Sequence, residues 1–327
     1  MNKIEFGDCR ETMRRWAAEG VKVQTCVTSP PYFGLRDYGH EGQIGLEQTP
    51  EQYIEAMVEV FRCVWDVMAD DGTLWLNIGD SYASYRDGKA TPDTTRGDST
   101  GTLVPKGSAR NRMASTFSGS GVKHKDLIGI PWMLAFALRA NGWYLRQDII
   151  WHKPNPMPES VRDRCTKAHE YMFLLSKSDR YFFDHEAMKE PATNAGKRVS
   201  LGDKSFSKGQ AKGMGIDPSG NGLKDFYDVA ETRNRRSVWT VTTKPYKGAH
   251  FATFPPDLIE PCILSGSKQY DIVLDPFMGS GTTAQVALQH GRRYLGCELN
   301  QDYKVLQDER IAKAQPEPSP QIDMFVL

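Results

Sequence analysis

Ile272-Val273-Leu274-Asp275-Pro276-Phe277-Met278-Gly279-Ser280-Gly281-Thr282-Thr283 is the stretch that decides the fold. Three apolar residues ending in an acid read as a buried strand. Gly279-Ser280-Gly281 reads as a tight turn, and Thr282 to Gln289, with Gly291 just beyond, as a helix. Strand, glycine turn and helix in that order form one arm of an open α/β sheet, where a ligand approaches the backbone at the carboxyl end of the strand. Twenty-three residues after Asp275, Tyr294-Leu295-Gly296-Cys297-Glu298 is a second strand ending in an acid, placed to accept hydrogen bonds from both hydroxyls of a ribose. The pair therefore points to a nucleoside-bearing ligand. The turn lacks the Lys of a Walker phosphate loop, and Ala284 stands three positions after Gly281, which a dinucleotide fingerprint tolerates. On the turn alone a nicotinamide enzyme stays open.

Further runs of strand length occur at Lys3 to Phe6, Val23 to Val27, Thr73 to Ile78, Tyr144 to Trp151, Glu170 to Leu175 and Arg293 to Cys297. Pro50 to Met68 carries Tyr53, Met57, Val60, Phe61, Val64 and Val67 at helical spacing, with Asp70-Asp71-Gly72 as the expected stop. A second helix is expected from Gly129 to Asn141. Alternating strands and helices predict a mostly parallel sheet covered on both faces. The longest apolar run, Ile128 to Leu138, is too short to span a bilayer and contains Pro131, and the opening Met-Asn-Lys-Ile-Glu-Phe-Gly-Asp has no signal-peptide core. A cytoplasmic protein with no membrane partner is the expectation. The six cysteines lie singly, without the paired spacing of a zinc site or a disulfide framework, so no metal is expected.

The chain has no formal net charge, but the charge is unevenly spread. Ser84 to Lys125 holds eight basic residues against three acidic ones, and Glu186 to His250 holds twelve against seven. Both segments are rich in Gly, Ser, Thr, Asp and Asn and read as long loops. Basic loops on an otherwise acidic body suit a polyanion. The residues expected to meet it are Arg86, Arg96, Arg110, Arg112, Lys123 and Lys125 in the first segment. In the second they are Lys197, Arg198, Lys204, Lys208, Lys212, Arg233, Arg235 and Arg236.

The strand Val23 to Val27 runs straight into Thr28-Ser29-Pro30-Pro31-Tyr32. Two prolines fix their own φ, and each drives the preceding residue out of the α region, so this corner is stiff and extended. An exocyclic amino group is a poor nucleophile because its lone pair is delocalised into the ring. If the Ser29 hydroxyl oxygen and the Pro30 carbonyl each accept one amino hydrogen, the nitrogen is drawn toward tetrahedral geometry and its lone pair can face an activated methyl. Tyr32 offers a stacking face to a base taken out of its helix.

Thr28 to Tyr32 together with Asp275 to Thr282 resembles the DNA amino-methyltransferases, adenine N6 and cytosine N4, in the β-group order with the catalytic motif before the cofactor motif. The resemblance implies a doubly wound, mostly parallel seven-stranded α/β sheet, Rossmann-like and circularly permuted, with an inserted target-recognition region. It implies residues 1–185 as the catalytic half with its basic loop 84–125, 186–238 as the target-recognition region and 239–327 as the cofactor-binding half. S-adenosyl-L-methionine is the implied cofactor and double-stranded DNA the partner. Ser29, Pro30, Pro31 and Tyr32 take the catalytic place. Glu298 takes that of the ribose ligand, Asp275 lies by the methionine portion and Asp8 flanks the adenine. His250, Phe251, Phe254 and Pro255 resemble the segment that encloses the methionine end. Thr28, Pro276, Phe277, Gly279, Gly281, Thr282, Thr283 and Asn300 complete the cofactor set. A homodimer is implied as well, and any restriction endonuclease would be a separate protein. Adenine-directed members usually carry Asp where this chain has Ser29, and the serine form is more common among cytosine N4 enzymes; the target base stays open.

Methylation at a ring carbon needs a cysteine nucleophile, and Pro261-Cys262 is the one Pro-Cys pair. It falls in the apolar helical stretch Leu258 to Leu264, which makes Cys262 a core residue. RNA or a protein amide is a nearer rival substrate, against which the two basic segments favour a long duplex. His152 and His169 stand at strand ends in structural positions, and Val238, Trp239 and Tyr246 read as packing residues.

Overall fold

The computed structural model describes residues 2–35, 39–40, 42–83, 122–196, 198–200, 226–228, 230–243 and 254–314, with the backbone alone at 198–200 and 226–228. Two compact units divide the chain, one of residues 1–184 and 237–327, the other of residues 185–236.

The larger unit is built on one sheet. Its strands are β1 (Lys3–Phe6), β2 (Val23–Thr28), β3 (Met68–Ile78), β4 (Tyr144–His152), β5 (His169–Ser176), β10 (Val238–Thr240), β11 (Ile272–Asp275) and β12 (Arg293–Glu298), in the order β1-β12-β11-β2-β3-β5-β4-β10. β5 alone runs antiparallel to its neighbours. The expected mostly parallel sheet is thus present, with eight strands among the described residues rather than seven. The eighth is β10, which adds parallel to β4 at the edge, where Trp239 buries against Trp75, ring centroids 6.5 Å apart.

Helices α1 (Cys9–Ala18), α2 (Pro50–Val67), α3 (Ile130–Ala140), α4 (Pro256–Gly266), α5 (Thr282–Gln289) and α6 (Lys304–Ala312) cover the faces. α2 forms as its spacing predicts: Thr49 caps it by accepting from the Gln52 N–H, and Pro50 occupies the first turn, where no N–H is needed. Tyr53, Met57, Val60, Phe61, Val64 and Val67 are all fully buried. α1 went unforeseen, although Cys9, Met13 and Trp16 bury one face of it and Asp8 caps it.

Asp70-Asp71-Gly72 does not stop α2 by a turn. The helix ends at Val67 because Met68 already has extended φ and ψ, and the acids lie within β3. The register with β2 jumps from Val23 opposite Met68 to Thr25 opposite Thr73, so these residues bulge outward.

The connections place the site. From β11 the chain crosses through α5 to β12 on one side, and from β2 it crosses through α2 to β3 on the other. β11 and β2 lie side by side, with Val273 opposite Thr25 and Leu274 opposite Cys26. Their carboxyl ends therefore form the switch point at which an open α/β sheet leaves a crevice.

In the smaller unit, β6 (Glu190–Pro191) pairs with β9 (Thr232–Arg233), and β7 (Arg198–Ser200) with β8 (Phe226–Asp228), both antiparallel.

Because Phe61 of α2 is wholly buried in the hydrophobic core, Phe61→Ala should cost about 3–5 kcal/mol. Urea unfolding reads this as a lower midpoint at unchanged slope, and an unaltered midpoint would contradict this packing.

Candidate active site

Asp275 ends β11 inside the protein, and three groups hold its carboxylate. Oδ1 accepts from the Thr28 hydroxyl at 2.7 Å and the Phe277 N–H at 3.0 Å, and Oδ2 accepts from the Thr283 hydroxyl at 2.6 Å. Thr28 closes β2 and Thr283 opens α5, so one side chain ties catalytic strand, glycine turn and helix together. Burial pushes the Asp275 carboxyl up to about 6 against these hydrogen bonds, which lower it.

Gly279 and Gly281 have φ of +54° and +87°, left-handed values that other residues adopt only with strain. The turn is fastened to the strand next door. The Gly279 N–H donates to Glu298 Oε2 at 2.7 Å and the Asn300 N–H to Oε1 at 2.9 Å. Burial raises the Glu298 carboxyl above its ordinary value. Each oxygen has a second lone pair, so the carboxylate can still accept two ligand hydroxyls. Met278 tucks over Gly296, where a Cβ would come within 2.3 Å of its side chain. The Ser280 hydroxyl is buried in the turn with no hydrogen-bond partner among the described residues, an open valence that a ligand atom can meet. Pro276 is buried, Phe277 half-buried, and Thr282 accepts from Arg310 on α6.

Ser29 to Tyr32 follow β2 at the same edge of the sheet, beside the Asp275 turn. The Tyr53 hydroxyl, reaching up from α2, donates to the Pro31 carbonyl at 2.9 Å and braces the proline corner. Tyr32 lies against Gly79, where a Cβ would come within 2.7 Å of the ring. Its hydroxyl donates to Glu170 Oε2 at 2.7 Å and is 3.3 Å from Asn77 Oδ1, and the Ser29 hydroxyl donates to it at 3.4 Å. The Asn77 amide donates to Glu170 Oε2 at 3.3 Å and to the Tyr171 carbonyl at 3.0 Å, while Lys153 pairs with Glu170 Oε1. Burial, with the Glu170 charge adding to it, pushes the Tyr32 phenol well above its ordinary value, so it remains a proton donor. Nearby, Lys167 donates to the Asp80 carbonyl, while the Asp80 carboxylate caps α3 through the Gly129 and Ile130 N–H groups.

The structure thus brings Ser29, Pro30, Pro31, Tyr32, Thr28, Asp275, Gly279, Gly281, Thr283 and Glu298 to one crevice. Phe6 pairs with Glu298 in register, which sets Asp8 next to that crevice, but its carboxylate caps α1 and binds the Arg10 guanidinium, which holds it below its ordinary value. Pro255 starts α4 and Phe254 precedes it, half-buried. His152 meets Thr240 and His169 lies edge-on to Tyr171, both at strand ends. Cys262 is buried in α4. Arg233 and Arg236 pair with Glu190, and Arg235 donates to the Met188 carbonyl. Lys123 is exposed, and Lys125 pairs with Asp163. Arg86, Arg96, Arg110, Arg112, Lys197, Lys204, Lys208, Lys212, His250, Phe251, Tyr246 and the Arg198 side chain lie outside the described residues. Asn77, Gly79, Lys153 and Glu170 join this network without belonging to any motif of the sequence. Their nearest signal was the charged Glu170 at the mouth of an apolar strand.

Residues 23–309 match the model of the N6/N4 DNA methylase family. The type II methyltransferase M.XycI of Xanthomonas campestris pv. cyanopsidis is 46% identical over 305 residues, which are 93% of this chain and 86% of that protein. M.SmaI of Serratia marcescens is 46% identical over 313 residues, 95% and 91% of the two chains. The cytosine-N4-specific PvuII DNA methyltransferase shares the fold with a TM-score of 0.57 at 16% identity, over 95% and 86% of the chains. So does TTHA0409 of Thermus thermophilus, described as a putative DNA modification methylase and complexed with S-adenosyl-L-methionine, with a TM-score of 0.56 at 21% identity over 98% and 96%. With the acid-bound glycine turn and the proline corner at one switch point, the chain belongs to the N6/N4 DNA methylases, as a β-group DNA amino-methyltransferase.

Proposed function

We propose that the chain methylates the N4 amino group of cytosine at a specific site in duplex DNA, from a base rotated out of the helix. The observation that carries the reading is the Thr28 to Asp275 hydrogen bond, which holds the Ser29 corner beside the glycine turn. The serine in place of an aspartate favours cytosine over adenine by family resemblance.

S-adenosyl-L-methionine, when bound, supplies a methyl group on a sulfonium. The residues of the crevice suit it: Glu298 would accept from the ribose hydroxyls, and Asp275 would lie by the methionine portion. The left-handed glycine turn would let the ligand reach the backbone at the start of α5. Ser29 Oγ and the Pro30 carbonyl accept the amino hydrogens, and Tyr32 stacks on the flipped base, which offsets part of the few kcal/mol that unstacking costs. Catalysis is by orientation and fixed dipoles. Residues 186–238 take the target-recognition role, and the basic residues of both segments meet phosphates. We read a bacterial enzyme of the cytoplasm that forms a homodimer, with any restriction endonuclease a separate protein.

Three results test this. Expressed in a host free of DNA methylation, the chain should leave N4-methylcytosine at one recurring sequence; N6-methyladenine there would reverse the base assignment, and an unmodified genome would contradict the reading. Ser29→Ala should lower turnover with cofactor affinity intact, whereas Glu298→Ala should weaken cofactor binding by about 1.5–3 kcal/mol; calorimetric titration separates the two, and an unchanged Kd for the Glu298 variant would refute the ribose assignment. Asp275 also makes stability depend on pH. Its folded value of about 6 lies above the ordinary 3.8, so its contribution is complete below pH 3.8 and is lost as pH rises through 6. Relative to Asp275→Asn, the unliganded protein should lose on the order of 3 kcal/mol between those limits. Denaturant unfolding at both pH values measures it, and a wild-type stability that rises with pH relative to Asp275→Asn would contradict it.

A further inference from the structure

A lone serine hydroxyl is ambiguous, because its rotor can donate or accept. Donation would be fatal to the proposed step, since a proton placed on the lone pair of the amino nitrogen occupies the pair that must attack the methyl. Something has to turn the Ser29 proton away.

The network beside it can do so. Tyr32 Oη has one proton and faces two acceptors, Glu170 Oε2 at 2.7 Å and Asn77 Oδ1 at 3.3 Å. Asn77 cannot reverse its amide without cost, because its Nδ2 already donates to Glu170 Oε2 and to the Tyr171 carbonyl, and a flip would set oxygen against both. A carboxylate accepts only, and Glu170 Oε1 is paired with Lys153. The Tyr32 proton therefore points to Glu170, and the lone pair left on Oη takes the Ser29 proton. The remaining Ser29 lone pairs are then directed away from Tyr32.

We propose that Glu170 is a positioning residue which, through Tyr32, fixes the direction of the Ser29 hydroxyl and makes this neutral side chain a committed acceptor for the amino group. A carboxylate at position 29 would accept without help; serine borrows its polarity from a carboxylate two hydrogen bonds away. Gly79 and Tyr53 keep the corner in place for this relay. The inference rests on Ser29 being the acceptor of an amino hydrogen.

The test uses the full chain with a duplex substrate and the variants Ser29→Ala, Tyr32→Phe, Glu170→Gln and the double Tyr32→Phe/Glu170→Gln. Tyr32→Phe keeps the stacking ring and removes the relay, and Glu170→Gln can turn its amide N–H toward Tyr32. Ser29→Ala should lower kcat by on the order of 10²-fold. Tyr32→Phe and Glu170→Gln should each lower kcat roughly tenfold while KM for DNA and Kd for the cofactor hold. The double variant should be no slower than the slower single, because both cut one chain. Full activity of Tyr32→Phe beside a disabled Ser29→Ala overturns this inference alone, and so do effects of the two single changes that multiply. A harmless Ser29→Ala overturns the acceptor assignment and this inference with it. Should Glu170→Gln fold poorly, Tyr32→Phe still decides.

Discussion

The crevice is organised around one buried carboxylate. Asp275 sits where the crossovers from β2 and β11 diverge, and it is held by a hydroxyl from the end of β2 and another from the start of α5. A lone buried carboxylate would be expensive, so the three donors are a condition of its being there. In meeting that condition the protein fixes the relative placement of the two motifs, which are 247 residues apart in sequence. Small threonines make the bridge possible, since each reaches the carboxylate over a short, stiff side chain.

The same economy recurs at the two other acids of the crevice. Glu298 fastens the glycine turn by accepting backbone N–H groups while keeping lone pairs for a ligand. Glu170 gathers Tyr32, Asn77 and Lys153 and so orders the surroundings of the proline corner. Each of the three carboxylates is held by backbone, hydroxyl, amide or ammonium donors of the chain itself. Preorganisation of this sort leaves little to rearrange when substrate arrives.

Much of this was legible in the sequence because it is local. Gly279-Ser280-Gly281 between an apolar run and a helix, and two prolines after a strand, announce backbone geometry within a few residues. α2 declared itself by six apolar residues at helical spacing. What failed to show was either masked by composition or remote. Asp70-Asp71-Gly72 has the make-up of a turn, yet pairing with β2 carries the strand through it as a bulge. α1 carries so many charged residues that its narrow buried face escaped notice, and Asp8, read as a neighbour of the cofactor, also proved to be its cap. Glu170 reaches Tyr32 from 138 residues away, from β5, the strand that runs antiparallel within the large sheet. No local pattern encodes that meeting.

If the Ser29 corner and the glycine turn are the two walls of a single methyl-transfer site, a crystal structure of the chain with a non-reactive cofactor analogue and a cognate duplex should show both occupied together. The expected result is a flipped base on Tyr32 whose amino nitrogen lies within hydrogen-bond reach of Ser29 Oγ and the Pro30 carbonyl, about 3–3.5 Å from the group that replaces the methyl. A base left in its stack, or an amino nitrogen held away from Ser29 with the analogue bound elsewhere than at Glu298, would contradict it.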